Sequence, residues 1–287
     1  MGGKLSKEIS QIQVGGRDGI GPISIGNGEL VVIAGPCVIE SEERTDRIAL
    51  SLQDVCARVG LPFIFKASFD KANRTSLDGF RGPGMEAGLA VLDNIRRSLG
   101  VCVTTDVHEV RQVQSVAEVV DLIQIPAFLC RQTDLLVEAG GSGRPVNIKK
   151  GQFQAPWDMK SAVNKVIGSG PNGVMLTERG SSFGYNNLVA DMRSLPEMAR
   201  LGVPVCFDAT HSTQLPGSGG DRTGGDREMA AVLARAAVAV GVNAIFLEVH
   251  DEPEVALSDA ASQYRLDEVE ALLTQLSAIH QTLQPLH

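Results

Sequence analysis

Short apolar, β-branched runs alternate along this chain with amphipathic stretches of helical length. The runs fall at residues 31–34, 62–65, 101–104, 122–125, 146–148, 174–176, 203–207 and 244–247, eight strand candidates in all. Between and after them, residues 42–59, 85–99, 226–240 and 266–283 place apolar positions three and four apart, the spacing of a helix with one buried face. Strand–helix alternation without a break predicts parallel strands joined by right-handed crossovers. Eight such units favour a closed (β/α)8 barrel over an open doubly wound sheet, which usually has fewer strands. A Rossmann-like sheet with extra strands is the competing architecture. No G-x-G-x-x-G follows the first run, which counts against it.

Residues 1–30 stand apart from this rhythm. They hold eight glycines and two short alternating runs, Ile12-Gln13-Val14 and Ile23-Ser24-Ile25, which predict a β-hairpin around a turn at 15–21. The expected organisation is therefore an N-terminal hairpin extension over 1–30 and one barrel domain over 31–287. The most membrane-like stretch, 230–249, is interrupted by Arg235, Gly241, Asn243 and Glu248, and reads as a helix followed by a buried strand.

Composition sharpens the picture. Hydrophobic residues make up 43% of the 287 but aromatics only 4%, so the core must be built from Val, Ile, Leu and Ala, as buried parallel strands prefer. The formal charge of -8 argues against nucleic acid or an anionic membrane as partner. The five cysteines, odd in number and without a CxxC pair, read as reduced thiols, and no secretory signal opens the chain, so a cytoplasmic protein is expected.

In a barrel the chemistry gathers at the carboxyl ends of the strands. Taken in order, those ends supply Cys37, Lys66, Asp106 with His108, Gln124, Lys149, Arg179, Asp208 with His211, and Glu248. Lys66, Lys71, Lys149 and Arg179, with Arg74 and Arg131 nearby in sequence, suit a substrate carrying several anionic groups. Cys37, His211, Glu248 and the later Asp259 form a plausible set for a borderline divalent ion, since the first, seventh and eighth strands of a closed barrel are neighbours. Individually, a lone Cys or His is more often a core or hydrogen-bonded residue. The glycine-rich stretch 217–225 lacks the GK[ST] of a phosphate loop; it reads either as a loop closing over the mouth or as an ordinary loop tip.

Several strings carry a resemblance to a known family. Ala34-Gly35-Pro36-Cys37-Val38-Ile39-Glu40-Ser41 resembles the opening motif of phosphoenolpyruvate-dependent 3-deoxy-sugar-acid synthases. Lys71-Ala72-Asn73-Arg74-Thr75-Ser76 resembles the signature of the 3-deoxy-D-manno-octulosonate 8-phosphate synthases, where heptulosonate synthases carry a KPRTS-type string. Matching strings continue through Gln124-Ile125-Pro126-Ala127-Phe128, Asn147-Ile148-Lys149-Lys150-Gly151-Gln152, Glu178-Arg179-Gly180 and Phe207-Asp208-Ala209-Thr210-His211.

The resemblance implies a cytoplasmic homotetramer that condenses phosphoenolpyruvate with arabinose 5-phosphate, in lipopolysaccharide precursor synthesis. It implies that Lys66, Ser68, Lys71, Lys149, Gln152 and Arg179 hold phosphoenolpyruvate. Asn73, Arg74 and Ser76 would hold the aldose phosphate, with Gln124 and Phe128 lining the site and Arg131 reaching in from a neighbouring subunit. Lys71, Lys149, Asn73 and His211 are the expected catalytic residues. Metal-free members have Asn where this chain has Cys37, so Cys37, His211, Glu248 and Asp259 match the metal-requiring type, with Zn, Fe(II) or Mn(II) as the ion. Asp259 is followed by Ala260 where many members have Gly. A heptulosonate synthase and a non-catalytic sugar-phosphate-binding barrel are the alternative readings.

Overall fold

A computed structural model describes residues 9–74, 76–219 and 222–283. The start of the predicted extension, Thr75 of the Asn73–Arg74 string, residues 220–221 of the glycine-rich stretch and the last four residues lie outside them. Two short strands, β1 (Ile12–Val14) and β2 (Ile23–Ile25), pair antiparallel as the expected hairpin. Then β3 (Val31–Gly35), β4 (Phe63–Lys66), β5 (Cys102–Asp106), β6 (Leu122–Ile125), β7 (Val146–Lys149) and β8 (Val174–Glu178) pair in parallel, each with the next. After a small ribbon of β9 (Ser181–Ser182) and β10 (Leu188–Val189), β11 (Val205–Asp208) pairs with β8 and with the final barrel strand. The glycine-rich stretch forms an antiparallel ribbon, β12 (Gln214–Gly219) and β13 (Arg222–Gly225), rather than an irregular loop tip. The last barrel strand, β14 (Ala244–His250), pairs with β3 and closes the cylinder, and a short β15 (Tyr264–Arg265) extends it.

Eight helices wrap the barrel: α1 (Glu42–Val59), α2 (Met85–Leu99), α3 (Val113–Val119), α4 (Thr133–Gly141), α5 (Lys160–Ile167), α6 (Ser194–Ala199), α7 (Arg227–Val240) and α8 (Val269–Leu283). Local chemistry sets their ends. Ser41 accepts from the Arg44 amide and caps the start of α1, where Glu42 and Glu43 face the positive end of the helix dipole. Gly60 ends it at φ 76°, a left-handed conformation that a side chain would resist. The candidate strand over 244–247 is three residues longer, which brings Glu248 and His250 onto the strand itself.

Alternation along the strands divides the core in two. Val32, Ala34, Phe65, Val103, Ile123, Ile148, Leu176 and Phe207 face the helices, whereas Val31, Ile33, Ile64, Cys102, Leu122, Met175, Cys206 and Phe246 fill the barrel interior with the hairpin residues Ile12, Val14, Ile20 and Ile25. The hairpin is therefore the floor of the barrel. Arg17 ties it there, donating to the carbonyls of Glu118, Val119 and Val120 at the end of α3 and to Asp121, which the buried Arg96 also grips. All five cysteines are free and buried. With the floor sealed, the opposite, carboxyl-terminal end is left as the open mouth.

Candidate functional site

A cavity of about 480 Å³ occupies that mouth. Lys66, Ser68, Lys71, Asn73, Arg74, Gln124, Phe128, Lys149, Gln152, Arg179, His211, Glu248 and Asp259 all line it. Ser76 does not; its hydroxyl accepts from the Asp78 amide within its own turn. Arg131 also stands outside, in a shallower pocket with His108, Glu109 and Leu135 of the same chain.

One side of the cavity is a cluster of possible ligand atoms. One from each of Cys37, Glu248 and Asp259 lie within 4.8 Å of one another. His211 joins them, with Nε2 3.6 Å from Glu248 Oε2 and 3.9 Å from Asp259 Oδ2. The ring is aimed by Asp208, whose Oδ2 lies 2.7 Å from His211 Nδ1, so that Nε2 faces the cluster. Asp208 Oδ1 accepts from the His211 amide and from Thr210, and Thr210 in turn accepts from the Glu248 amide. Asp259 reaches the cluster from a turn in which its own backbone sits at φ 46°, and the amides of Ser262 and Gln263 close on its carbonyl. The left-handed residue is thus the acid itself, and Ala260 after it needs no glycine.

The fit to a divalent cation rests on what this cluster lacks. Glu248 Oε2 is buried with no hydrogen-bond partner among the described residues, although the group is a carboxylate. Burial pushes the Cys37 thiol well up, and the neighbouring Asp259 and Glu248 push it further. A sulfur, an imidazole and two carboxylates crowded with like charge are compatible with a divalent metal and costly without one.

The other side is cationic. Lys66 Nζ donates to Glu248 Oε1 at 2.6 Å and to the Cys37 carbonyl at 2.9 Å, and Lys71 Nζ stands 3.9 Å from the same Oε1. Burial alone would raise the Glu248 carboxyl, but His211, Lys66, Lys71 and Lys149 hold it well below its ordinary value. Burial opposes the charge on Lys71 too; Cys37, Glu248, Asp259 and Asp106 nevertheless carry it well above the ordinary lysine value. Lys149 Nζ donates to Asp208 Oδ2 at 2.5 Å and lies 3.5 Å from the centre of the Phe246 ring. Its pKa is lowered because burial outweighs Asp208. Arg179 donates to Gln214, and its Nη1 is buried without a partner among the described residues.

Ser68 donates to Asp106 Oδ1 at 2.5 Å, while His108 Nε2 meets Oδ2 at 2.9 Å. Asp106 is held below its ordinary range against burial, chiefly by His108 and the two lysines.

Asp106, His108 and Asp208 were visible as strand-end residues but carried no assigned role. Gln214, Ser258 and Gln263 gave no signal that spacing could reveal. Gln263 accepts from the Cys37 amide and donates to the Ser258 carbonyl, and Glu40 accepts from the Leu257 amide, so the loop that carries Asp259 is fastened at both ends.

Comparison with known proteins agrees with this geometry. The family model described as the DAHP synthetase I family matches residues 7–284. A 2-dehydro-3-deoxyphosphooctonate aldolase of Geobacter sulfurreducens is 56% identical over 261 residues, covering 91% of this chain and 96% of its own. Proteins of the same name from Citrifermentans bemidjiense (57% identical, covering 91% of this chain and 96% of its own) and Trichlorobacter lovleyi (56%, covering 96% and 98%) are comparably similar.

Proposed function

The chain belongs to the DAHP synthetase I family, and we infer from that premise that the barrel mouth performs the reaction for which its relatives are named. The enzyme joins C3 of phosphoenolpyruvate to the aldehyde carbon of arabinose 5-phosphate; water adds at C2, and phosphate leaves by C–O cleavage. The products are 3-deoxy-D-manno-octulosonate 8-phosphate and inorganic phosphate.

The observation that carries the residue assignment is the convergence of Lys66, Lys71, Arg74, Lys149 and Arg179 on one cavity beside the Cys37–Glu248–Asp259 cluster. Both substrates are anionic, so the site must offset their repulsion while holding the two carbons close. Lys66, Lys71, Lys149 and Arg179 neutralise and orient phosphoenolpyruvate, with Ser68 and Gln152 as neutral contacts. Arg179 Nη1, buried without a partner among the described residues, is ready for an anionic oxygen. Asn73 and Arg74 take the aldose phosphate, with Gln124 and Phe128 along the wall.

Cys37, His211, Glu248 and Asp259 hold a divalent ion, Zn, Fe(II) or Mn(II), which when bound supplies a Lewis acid for the aldehyde or the water. Asp208 positions the His211 ring through Nδ1.

Arg131 acts from a neighbouring subunit in a homotetramer. Its place outside its own chain's mouth supports this, as do Phe128, Phe153, Trp157, Phe183 and Tyr185, all more than half exposed on the loops after β6, β7 and β8. No described helix is long and apolar enough to cross a membrane, and a cytoplasmic place in lipopolysaccharide precursor synthesis accords with the reaction.

Phosphate release from phosphoenolpyruvate with arabinose 5-phosphate, before and after chelation, tests the reading. Activity lost to chelator and restored by Mn(II), Zn or Fe(II) is expected. Turnover with erythrose 4-phosphate in place of arabinose 5-phosphate would refute the aldose assignment, and activity indifferent to demonstrated metal removal would refute the ion.

A further inference from the structure

Ser258 touches both halves of the mouth. It is buried, with Oγ 2.8 Å from Arg74 Nη1 and 3.2 Å from Cys37 Sγ. The Arg74 guanidinium has no lone pair with which to accept, so it donates and occupies one lone pair of the hydroxyl. With no metal the Cys37 thiol donates to the hydroxyl oxygen; once the sulfur is a metal-bound thiolate, the hydroxyl would turn its own proton to it. Donation from a cation polarises the hydroxyl and makes it the better donor.

The remaining edge of Arg74 lacks a full set of partners. Nη2 reaches the Leu257 carbonyl only at 3.4 Å, and Nε is buried without a partner among the described residues. In a guanidinium, Nε and Nη2 form a parallel fork pointing away from Nη1, the geometry that takes two oxygens of a phosphate. An aldose phosphate can therefore occupy the fork while Nη1 stays on Ser258.

We propose that Ser258 is a positioning residue that couples the aldose-phosphate arm, Arg74, to the metal-ligating thiolate, Cys37, so that each ligand raises the affinity for the other. The proposal rests on the assignment of Arg74 and Cys37 above. A metal-bound thiolate would direct the Ser258 proton to the sulfur and its lone pair to Arg74, and a phosphate on the fork would hold Arg74 to the hydroxyl, so that each ligand favours the hydrogen-bond arrangement the other needs. The coupling is reciprocal by linkage.

The test is a Co(II) titration of the metal-stripped full chain, followed by the thiolate-to-Co(II) charge-transfer band, with and without arabinose 5-phosphate. The Co(II) affinity of the unaltered protein should rise at least about fivefold with the sugar phosphate present. Ser258→Ala should keep the band but lose the dependence, its ratio falling to within about twofold of unity, and Ser258→Thr should restore it. The same loss should raise KM for arabinose 5-phosphate more than it lowers kcat. Should Ser258→Ala fail to fold, Ser258→Gly serves in its place. A variant ratio equal to that of the unaltered protein overturns the proposal, as does an unaltered protein whose Co(II) affinity ignores the sugar phosphate. Failure of the underlying assignment looks different: the band would persist in Cys37→Ala, or the sugar phosphate would support no turnover.

Discussion

Asp208→Asn isolates the residue on which the two halves of the mouth both lean. Asp208 is fully buried; its Oδ2 lies 2.5 Å from Lys149 Nζ and 2.7 Å from His211 Nδ1. Removing one partner of a buried ion pair costs about 3–5 kcal/mol, because the other charge is left in a medium that cannot solvate it. Asparagine keeps the shape and one acceptor oxygen, and Lys149 retains the Phe246 ring at 3.5 Å, so the low end, about 3 kcal/mol, is expected. At about 2–4 °C per kcal/mol for a large domain, that is a fall of roughly 6–12 °C in Tm. The amide also weakens the hold on the Nδ1 proton, and losing such an outer partner costs about 10–100-fold in metal affinity. Thermal unfolding of the stripped protein reads the first effect and Mn(II) titration the second. Adding Lys149→Met should recover most of the stability and none of the phosphate release, since it replaces the stranded charge with an apolar chain of similar size. A single variant with unchanged Tm and metal affinity, or a double variant that regains activity, would refute the assigned role of Asp208.

Cys37→Ala should weaken metal binding by more than the about 10–100-fold that an outer partner costs, and abolish phosphate release; metal analysis after gel filtration checks it. Gly35→Ala should be among the most damaging one-carbon changes, because the new Cβ would lie 1.9 Å from the Lys66 carbonyl oxygen and 2.9 Å from the Phe65 ring, against backbone that cannot retreat without parting β3 from β4. A loss beyond the usual 1–3 kcal/mol of overpacking is expected, read as Cm in urea. The carboxyls of Asp106 and Asp208 are both held below their ordinary values in the folded chain. Their contribution is therefore fully present above the unfolded carboxyl value of about 3.9 and is lost as pH falls below it. Urea unfolding of the stripped protein from about pH 5 downward should show an acid slope that steepens below about pH 4 and that Asp106→Asn makes shallower.

The sequence disclosed the barrel because its signals are local and repeated. Strand 122–125 and helices 42–59 and 85–99 appear with the bounds their apolar spacing implies, since Ser41, Gly60 and Gly100 mark their ends within a residue. The ribbon over 214–225 was not legible: its ladder is made by backbone groups of glycine-rich segments, which leave no alternating side-chain pattern. The strand-end rule found Lys66, Lys149, Arg179 and Glu248, because a parallel barrel sends the end of every strand to one face. It could not show which acid meets which cation. The pairing of Lys149 with Asp208 spans 59 residues, and that of Lys66 with Glu248 spans 182. Such pairs depend on strand order and side-chain reach, which a linear pattern does not carry. Ser258 and Gln263 lie on a loop beyond the last barrel strand, β14, where no periodicity applies.

Those pairings matter more than the list of charges. Lys66 and Lys149 point into an anion-binding cavity yet are each engaged by a buried acid, so an anionic substrate does not meet free lysines. Glu248 shows how the conflict resolves. Its Oε1 engages Lys66 and faces Lys71, whereas its Oε2 has no hydrogen bond among the described residues and faces His211. One carboxylate thus spans the cationic half with one oxygen and the ligand cluster with the other. A divalent ion held by the cluster would place positive charge beside Oε2 and would compete with the two lysines for this carboxylate. Lys66, Lys149 and Glu248 sit on strand ends, whereas Lys71 and Asp259 reach the mouth from loops, so the carboxylate that joins the two halves is held on the barrel wall itself.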